Sequence, residues 1–99
     1  MKPVRTHSFS GVKYQIYINE DGVLGYCDNA NEKEKLELAI LVPLNTQQGL
    51  EIAIHEAVHA LCPKVREDEV CGLGKELARW LWRLGYRTDY STLTKEKTK

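Results

Sequence analysis

Residues 50–61 read LEIAIHEAVHAL, and within this stretch the hydrophobic pattern of the chain takes on a helical period. The apolar residues fall at i, i+3, i+4, i+7 and i+11, the spacing of one helical face: Leu50, Ala53, Ile54, Ala57 and Leu61. Asn45 or Thr46 can cap the start of the helix, and Pro63 disfavours its continuation beyond about Cys62. The sequence therefore predicts a helix over this segment.

The chain before this helix follows the period of two that is typical of β-strands. Residues 12–19 alternate apolar and polar side chains, and residues 19–22 supply turn chemistry, so residues 23–27 can return as a second strand. Residues 36–42 place their apolar side chains on one parity, and Pro43 ends the segment. We expect the first two strands to form a hairpin and all three to form a small antiparallel sheet.

A second helix is predicted from about Arg66 to about Leu84. The acidic residues 67–69 suit the positive end of a helix dipole, and Gly85 suits its end. Apolar residues form a continuous stripe along it: Val70, Leu73, Leu77, Trp80, Leu81 and Leu84. Because the strands precede the helices rather than alternate with them, the fold class is α+β.

Length, charge and composition limit the class of protein. The chain of 99 residues fits one domain, which we assign to residues 1–90, with a polar tail over residues 91–99 that we expect to be disordered. The net charge of zero argues against a general nucleic-acid binder. The chain shows no apolar run of about 20 residues and no secretory leader, and its cysteines are most economically read as reduced thiols. We therefore expect a cytoplasmic protein that does not enter a membrane.

The pentapeptide from His55 to His59 matches the pattern H-E-x-x-H. Four residues advance a helix by about 400° and about 6 Å, so both imidazoles lie on one face, where they can share one metal ion. Glu56 is rotated by about 100° from His55, which suits a general base that reaches a metal-bound water rather than the metal itself. A shuffled chain of this composition would contain about 0.006 such matches, so chance is a poor explanation.

A catalytic zinc site with two histidines needs a third protein ligand, and the acidic start of the second helix offers three candidates. Asp68 is predicted to face solvent, whereas Glu67 lies on the same side as the small residue Gly74, which permits close helix packing. Glu69 lies beside the bulky Trp80. We therefore favour Glu67 as the third ligand and keep Glu69 as the alternative.

Other interpretations of the same residues stay open. A closed structural site could use Cys62, with Cys71 as a further ligand, but it would leave Glu56 without a role. The two histidines could also be ordinary residues of an amphipathic helix. A further alternative is a non-catalytic, metal-stabilised protein-binding module, which could present an exposed strand or one of the tryptophans, Trp80 and Trp82, to its partner.

The sequence HEAVHA, followed shortly by a helix-borne glutamate, resembles the gluzincin metallopeptidases in their smallest form. The likeness is greatest to minigluzincin-like and SprT-like small proteins, which are often encoded by phages and prophages. It extends to three further segments: GYCD at 25–28, VREDEV at 65–70 and LARWLWRLGYR at 77–87.

This resemblance implies a minimal zincin-like fold, with His55, His59 and Glu67 as zinc ligands and Glu56 as the general base. It implies a zinc-dependent peptidase that acts on a peptide or protein, located in the cytoplasm of a bacterial host if the chain is phage-encoded. It also implies that the strand at residues 35–42 lies at the sheet edge, where an extended peptide can add as a further strand. Four residues could stabilise an oxyanion, and the sequence does not rank them: Tyr26, Tyr86, Arg87 and Tyr90.

Overall fold

The computed structural model describes residues 3–22, 24–28 and 35–97. It contains four strands, β1 (Arg5–Phe9), β2 (Val12–Ile18), β3 (Gly25–Cys27) and β4 (Leu36–Ile40). It contains three helices, α1 (Gln47–Leu61), α2 (Glu67–Arg83) and α3 (Tyr90–Lys97). The α+β class is confirmed, and α1 and α2 begin and end within a residue or two of the predicted bounds.

The sheet is mixed, with the strand order β1-β2-β4-β3. β1 and β2 form an antiparallel hairpin, and their turn uses two residues with positive φ, Ser10 at 51° and Gly11 at 80°. β2 pairs with β4 in parallel, and β4 pairs with β3 antiparallel. The prediction of three antiparallel strands is therefore wrong, as is the predicted hairpin between β2 and β3.

β4 occupies an inner position, and it has buried residues on both faces. Leu36 and Leu38 are buried on one face, and Ala39 is buried on the other. A strand with two buried faces is stabilised between two neighbours rather than at an edge. The expectation that residues 35–42 form an edge strand is therefore wrong, and β3 is the edge strand on that side of the sheet.

One face of the sheet packs against α1 and forms the core. The buried residues of this cluster come from β2, β4, the segment after β4, and α1: Tyr14, Ile16, Leu36, Leu38, Ile40, Val42, Leu44, Ile52 and Ala60. β3 approaches α1 closely at Gly25, where an added Cβ would lie 2.5 Å from the Ala39 oxygen and 2.8 Å from Ile52 Cγ2. Glycine at this position therefore sets the distance between the sheet edge and α1.

The buried side of α2 contains two small residues and only the first member of the predicted apolar stripe. Val70, Gly74 and Ala78 are buried. The Cβ of an alanine at Gly74 would lie 3.4 Å from the Glu51 oxygen and 3.5 Å from His55 Cβ, so the expected close packing at Gly74 is present. The larger members of the stripe are mostly exposed, and Trp80 is 59% exposed.

At the C-terminal end the structure contains α3, which covers most of residues 91–99. The Tyr90 hydroxyl donates a hydrogen bond to Glu20 Oε2 at 2.8 Å, and Arg5 Nη2 donates to the Thr92 oxygen at 2.8 Å. Leu93 packs against the core cluster. These contacts, which depend on residues distant in sequence, stabilise α3. No helix in the described part of the chain has the length and apolarity needed to cross a membrane.

Candidate metal centre

The two histidines of the motif lie on successive turns of α1 with their ring nitrogens facing each other. Thr46 fixes the start of α1, because its side chain accepts a hydrogen bond from the Gly49 amide at 2.9 Å. The ring centroids of His55 and His59 are 4.8 Å apart, and their Nε2 atoms are 3.2 Å apart. The helical spacing thus brings both imidazoles to one point, as predicted.

Glu67, the first residue of α2, reaches both imidazoles. Its Oε1 lies 2.7 Å from His55 Nε2, and its Oε2 lies 3.0 Å from His59 Nε2. The connection between the helices turns back tightly, with the Val65 amide donating to the Cys62 oxygen at 3.0 Å. This short connection places the acidic start of α2 beside the end of α1.

The three side chains present two imidazole Nε2 atoms and both oxygens of one carboxylate, a set that can bind a divalent cation. A zinc ion with tetrahedral ligands at about 2.0–2.1 Å keeps neighbouring ligand atoms about 3.3 Å apart. The separations of 3.2, 2.7 and 3.0 Å among His55, His59 and Glu67 come close to this value. Each Nε2 carries at most one proton, so at most two of these contacts can be hydrogen bonds. A cation between the three side chains would interact favourably with all of them at once.

Two groups of described residues bring potential ligand atoms within 4.8 Å of one another: His55, Glu56 and His59, and His55, Glu67 and Cys71. These residues could therefore hold a metal ion. Cys71 lies one turn after Glu67, and its thiol donates to Glu67 Oε1 at 3.6 Å. Cys62 is exposed and belongs to neither group. The alternative with Cys62 as a ligand has no support from this geometry.

The remaining acidic residues at the start of α2 are directed elsewhere. Asp68 Oδ2 accepts from Arg66 Nη2 at 2.7 Å, and Glu69 Oε1 lies 4.0 Å from Arg66 Nε. Of the three first-turn acids, only Glu67 faces the histidines. This separation follows from the 100° rotation per residue that ranked Glu67 above its neighbours.

The two glutamates of the site differ in their protonation behaviour. Glu56 is only 6% exposed, and burial raises its pKa, although the nearby His55 and His59 oppose this effect. For Glu67, burial alone would raise the pKa, but the charges of His59 and His55 and the hydrogen bond from Cys71 outweigh it, so its pKa is lowered. Glu67 is thus kept as a carboxylate, whereas Glu56 is more readily protonated.

A cleft of about 640 Å³ opens between β3 and α1 and contains the whole cluster. Its walls include Gly25 and Tyr26 from β3. Among the four oxyanion candidates, only Tyr26 lines the cleft, and its hydroxyl donates to Glu37 Oε1 at 2.9 Å. Burial and this hydrogen bond raise the pKa of Tyr26 to about 12. The position of β3 beside the cleft could not be predicted from the sequence, because it depends on tertiary packing. The contact from Cys71 to Glu67 is local, since the two residues are four positions apart on α2.

Comparison of the chain with protein-family models, with curated proteins and with solved structures gives no match.

Proposed function

We propose that this protein is a zinc-dependent peptidase of the gluzincin type that hydrolyses a peptide bond in a peptide or protein. One observation carries the proposal: the Nε2 atoms of His55 and His59 and the carboxylate of Glu67 converge at 2.7–3.2 Å, with Glu56 beside them in the same cleft. Two imidazoles and one carboxylate form the ligand set of one class of catalytic zinc sites, which keep a fourth position open. The resemblance of the HEAVHA segment to small gluzincins supports the same function.

Zinc bound by these three residues would polarise a peptide carbonyl and lower the pKa of a coordinated water towards about 7. The proton transfers would be carried out by a side chain of the protein. Glu56 is in position to accept a proton from the attacking water and to pass it to the departing amine. Both steps are favoured by the raised pKa of Glu56, because this pKa lies closer to neutral pH than that of an ordinary glutamate.

The edge strand β3 is our candidate for the substrate-binding element. β3 pairs only with β4 among the described strands, so its other edge offers backbone groups to an extended peptide. It lines the cleft that contains Glu56 and the histidines. A peptide that adds to β3 would therefore pass close to the metal ligands. This assignment replaces the strand at residues 35–42 that the resemblance implied.

The test combines metal analysis with a hydrolysis assay on the full chain. The wild-type protein should hold about one zinc per chain and cleave a mixture of unstructured peptides. Glu56→Gln should keep the zinc and lose at least about 100-fold in rate, because the general base is absent. His59→Ala and Glu67→Ala should lose the zinc. Glu69→Gln is the matched control, since its carboxyl faces away from the histidines, and it should keep both zinc and activity.

Two results would contradict the proposal. Cleavage that survives Glu56→Gln would exclude Glu56 as the base. Zinc binding that survives Glu67→Ala would exclude Glu67 as the third ligand.

The alternative function, a non-catalytic metal-stabilised module, predicts that zinc raises the melting temperature while no peptide is cleaved. The large exposed apolar residues of α2 are the feature that favours this alternative.

A further inference from the structure

The outer face of α2 carries an apolar stripe that the chain itself leaves uncovered. Its residues recur at intervals of four, three and four positions and are 40–59% exposed: Leu73, Leu77, Trp80 and Leu84. An adjacent face of α2, rotated by about 90° around the helix axis, is buried and contains Val70, Gly74 and Ala78. The spacing of the exposed stripe matches the alternating a and d positions of a helix that packs against a second helix.

The size of this stripe is notable for a chain of this length. Its four side chains expose on the order of 400 Å² of apolar surface, which is within the range of the largest patches on ordinary monomers, where such patches are often functional. With its charged borders the surface approaches the lower end of specific protein interfaces, at about 600 Å² per partner. A helix pair of this size is enough for a reversible association.

Charged residues lie along one border of the stripe. Glu76, Arg79 and Arg83 line a shallow groove beside Trp80 and Leu84. Among the described residues, neither Glu76 nor Arg83 forms an ion pair. Glu76 and Arg83 are seven positions apart, so they lie on the same side of the stripe, separated by two helical turns.

We infer that α2 is the interface of a symmetric homodimer, in which the α2 helices of two copies pack antiparallel. In the register centred between Leu77 and Trp80, Leu77 of one copy faces Trp80 of the other. In the same register Leu73 faces Leu84 of the second copy. The stripe is therefore complementary to itself under a twofold axis, the commonest symmetry of homodimers.

The charges favour the same arrangement. In the antiparallel register, Glu76 of each copy lies beside Arg83 of the second copy, so two equivalent ion pairs form across the axis. A parallel arrangement would place Glu76 beside Leu81 and leave these charges unpaired. The dipoles of two antiparallel helices also point in opposite directions, which is favourable for helices packed side by side. The charged residues on this border of the stripe thus favour one orientation and one register of the two α2 helices.

This dimer is independent of the proposed peptidase activity. Its face is rotated by about 90° around the helix axis from the Gly74 face of α2, which packs on α1 beside His55. The metal ligands and the dimer interface are therefore on different sides of the helix. Loss of metal binding and loss of dimerisation can be measured separately.

Sedimentation equilibrium of the full chain tests the inference. Over a range of roughly 1–500 μM, we expect a monomer–dimer equilibrium with a Kd of about 10–100 μM, as suits a small interface. Trp80→Ser should make the chain monomeric throughout. Arg83→Glu and Glu76→Arg should each raise the Kd at least about tenfold, because each creates two like-charge contacts. The double variant, which exchanges the two charges, should restore the wild-type Kd to within about threefold.

Lys75→Glu is the matched control, because Lys75 is an exposed α2 charge outside the groove, and it should leave the Kd unchanged. All variants replace exposed side chains, and circular dichroism should show the wild-type helix content. A chain that stays monomeric at the highest concentration would overturn the dimer. A dimer that is weakened by Trp80→Ser but not by Arg83→Glu, or that the charge exchange fails to restore, would overturn the antiparallel register.

Discussion

The separation of α1 and α2 should control metal affinity, and Gly74 is the residue that sets it. An alanine Cβ at this position would make ordinary contacts, 3.4 Å to the Glu51 oxygen and 3.5 Å to His55 Cβ. Leucine adds three further carbons to this Cβ at a buried position of the helix. Overpacking by Gly74→Leu should therefore lower the free energy of unfolding by about 1–3 kcal/mol. About 1 kcal/mol of this loss should be offset, because leucine favours the helix more than glycine does.

The larger effect should be on the site. To accept leucine, α2 must move away from His55 by a distance on the order of 1 Å, whereas metal ligands must hold their distances to within about 0.2 Å. Since Glu67 is carried on α2, its carboxylate should separate from the imidazoles. We expect the zinc affinity of Gly74→Leu to fall at least tenfold, measured by competition with a chromophoric chelator.

Gly72→Leu is the matched control for this experiment. It lies on the same helix, but it is exposed, and an added Cβ would have nothing within 4 Å. This variant should bind zinc as tightly as the wild type and should raise the free energy of unfolding by up to about 1 kcal/mol, measured by urea denaturation without metal. If Gly74→Leu binds zinc as tightly as Gly72→Leu, the spacing of the helices does not control the site.

Three further predictions concern protonation and stability. Burial raises the pKa of Glu56 in the folded state, so without metal the ionised form should destabilise the fold at pH values above the unfolded-state pKa. Glu56→Gln should therefore raise the free energy of unfolding by about 1 kcal/mol at pH 7. This gain should vanish as the pH falls below about 4, where Glu56 is protonated in both states. Burial raises the pKa of Cys27 to about 11, so at pH 8 only about one Cys27 thiol in a thousand is ionised. In a thiol-reagent assay, Cys27 should react far more slowly than the exposed Cys62, and Cys62→Ser should remove the fast phase. Tyr90→Phe should lower the free energy of unfolding by about 1 kcal/mol in urea, because Glu20 loses the hydrogen bond from the tyrosine hydroxyl.

The two main helices were predictable because their signals are local. Thr46 is a good cap, Pro63 ends α1, and the hydrophobic period changes within a few residues. The sheet was not predictable to the same extent, because strand pairing joins segments that are distant in sequence. β1 has the polar sequence RTHSF, with little alternation to mark it as a strand. The pairing of β2 with β4 also passes over β3, which lies between them in sequence.

The burial of α2 could not be read from its hydrophobic pattern. The predicted apolar stripe from Val70 to Leu84 suggests the buried side of an amphipathic helix, yet of this stripe only Val70 is fully buried, together with the small residues Gly74 and Ala78. A stripe of small residues carries a weak hydrophobic signal, although it allows two helix backbones to approach closely. The wheel positions that placed Glu67 on this small-residue side were more informative than the size of the apolar stripe.

The position of the candidate site depended little on the errors in the sheet. His55, His59 and Glu67 all belong to one helical hairpin, in which α1 and α2 are joined by residues 62–66. Their convergence follows from the helical repeat and from a tight connection, both of which are local properties. The strand order affects a different part of the site, because it decides which strand borders the cleft. A variant that weakens β3 at Gly25 should therefore impair peptide cleavage before it impairs zinc binding, whereas a variant at Gly74 should impair both together.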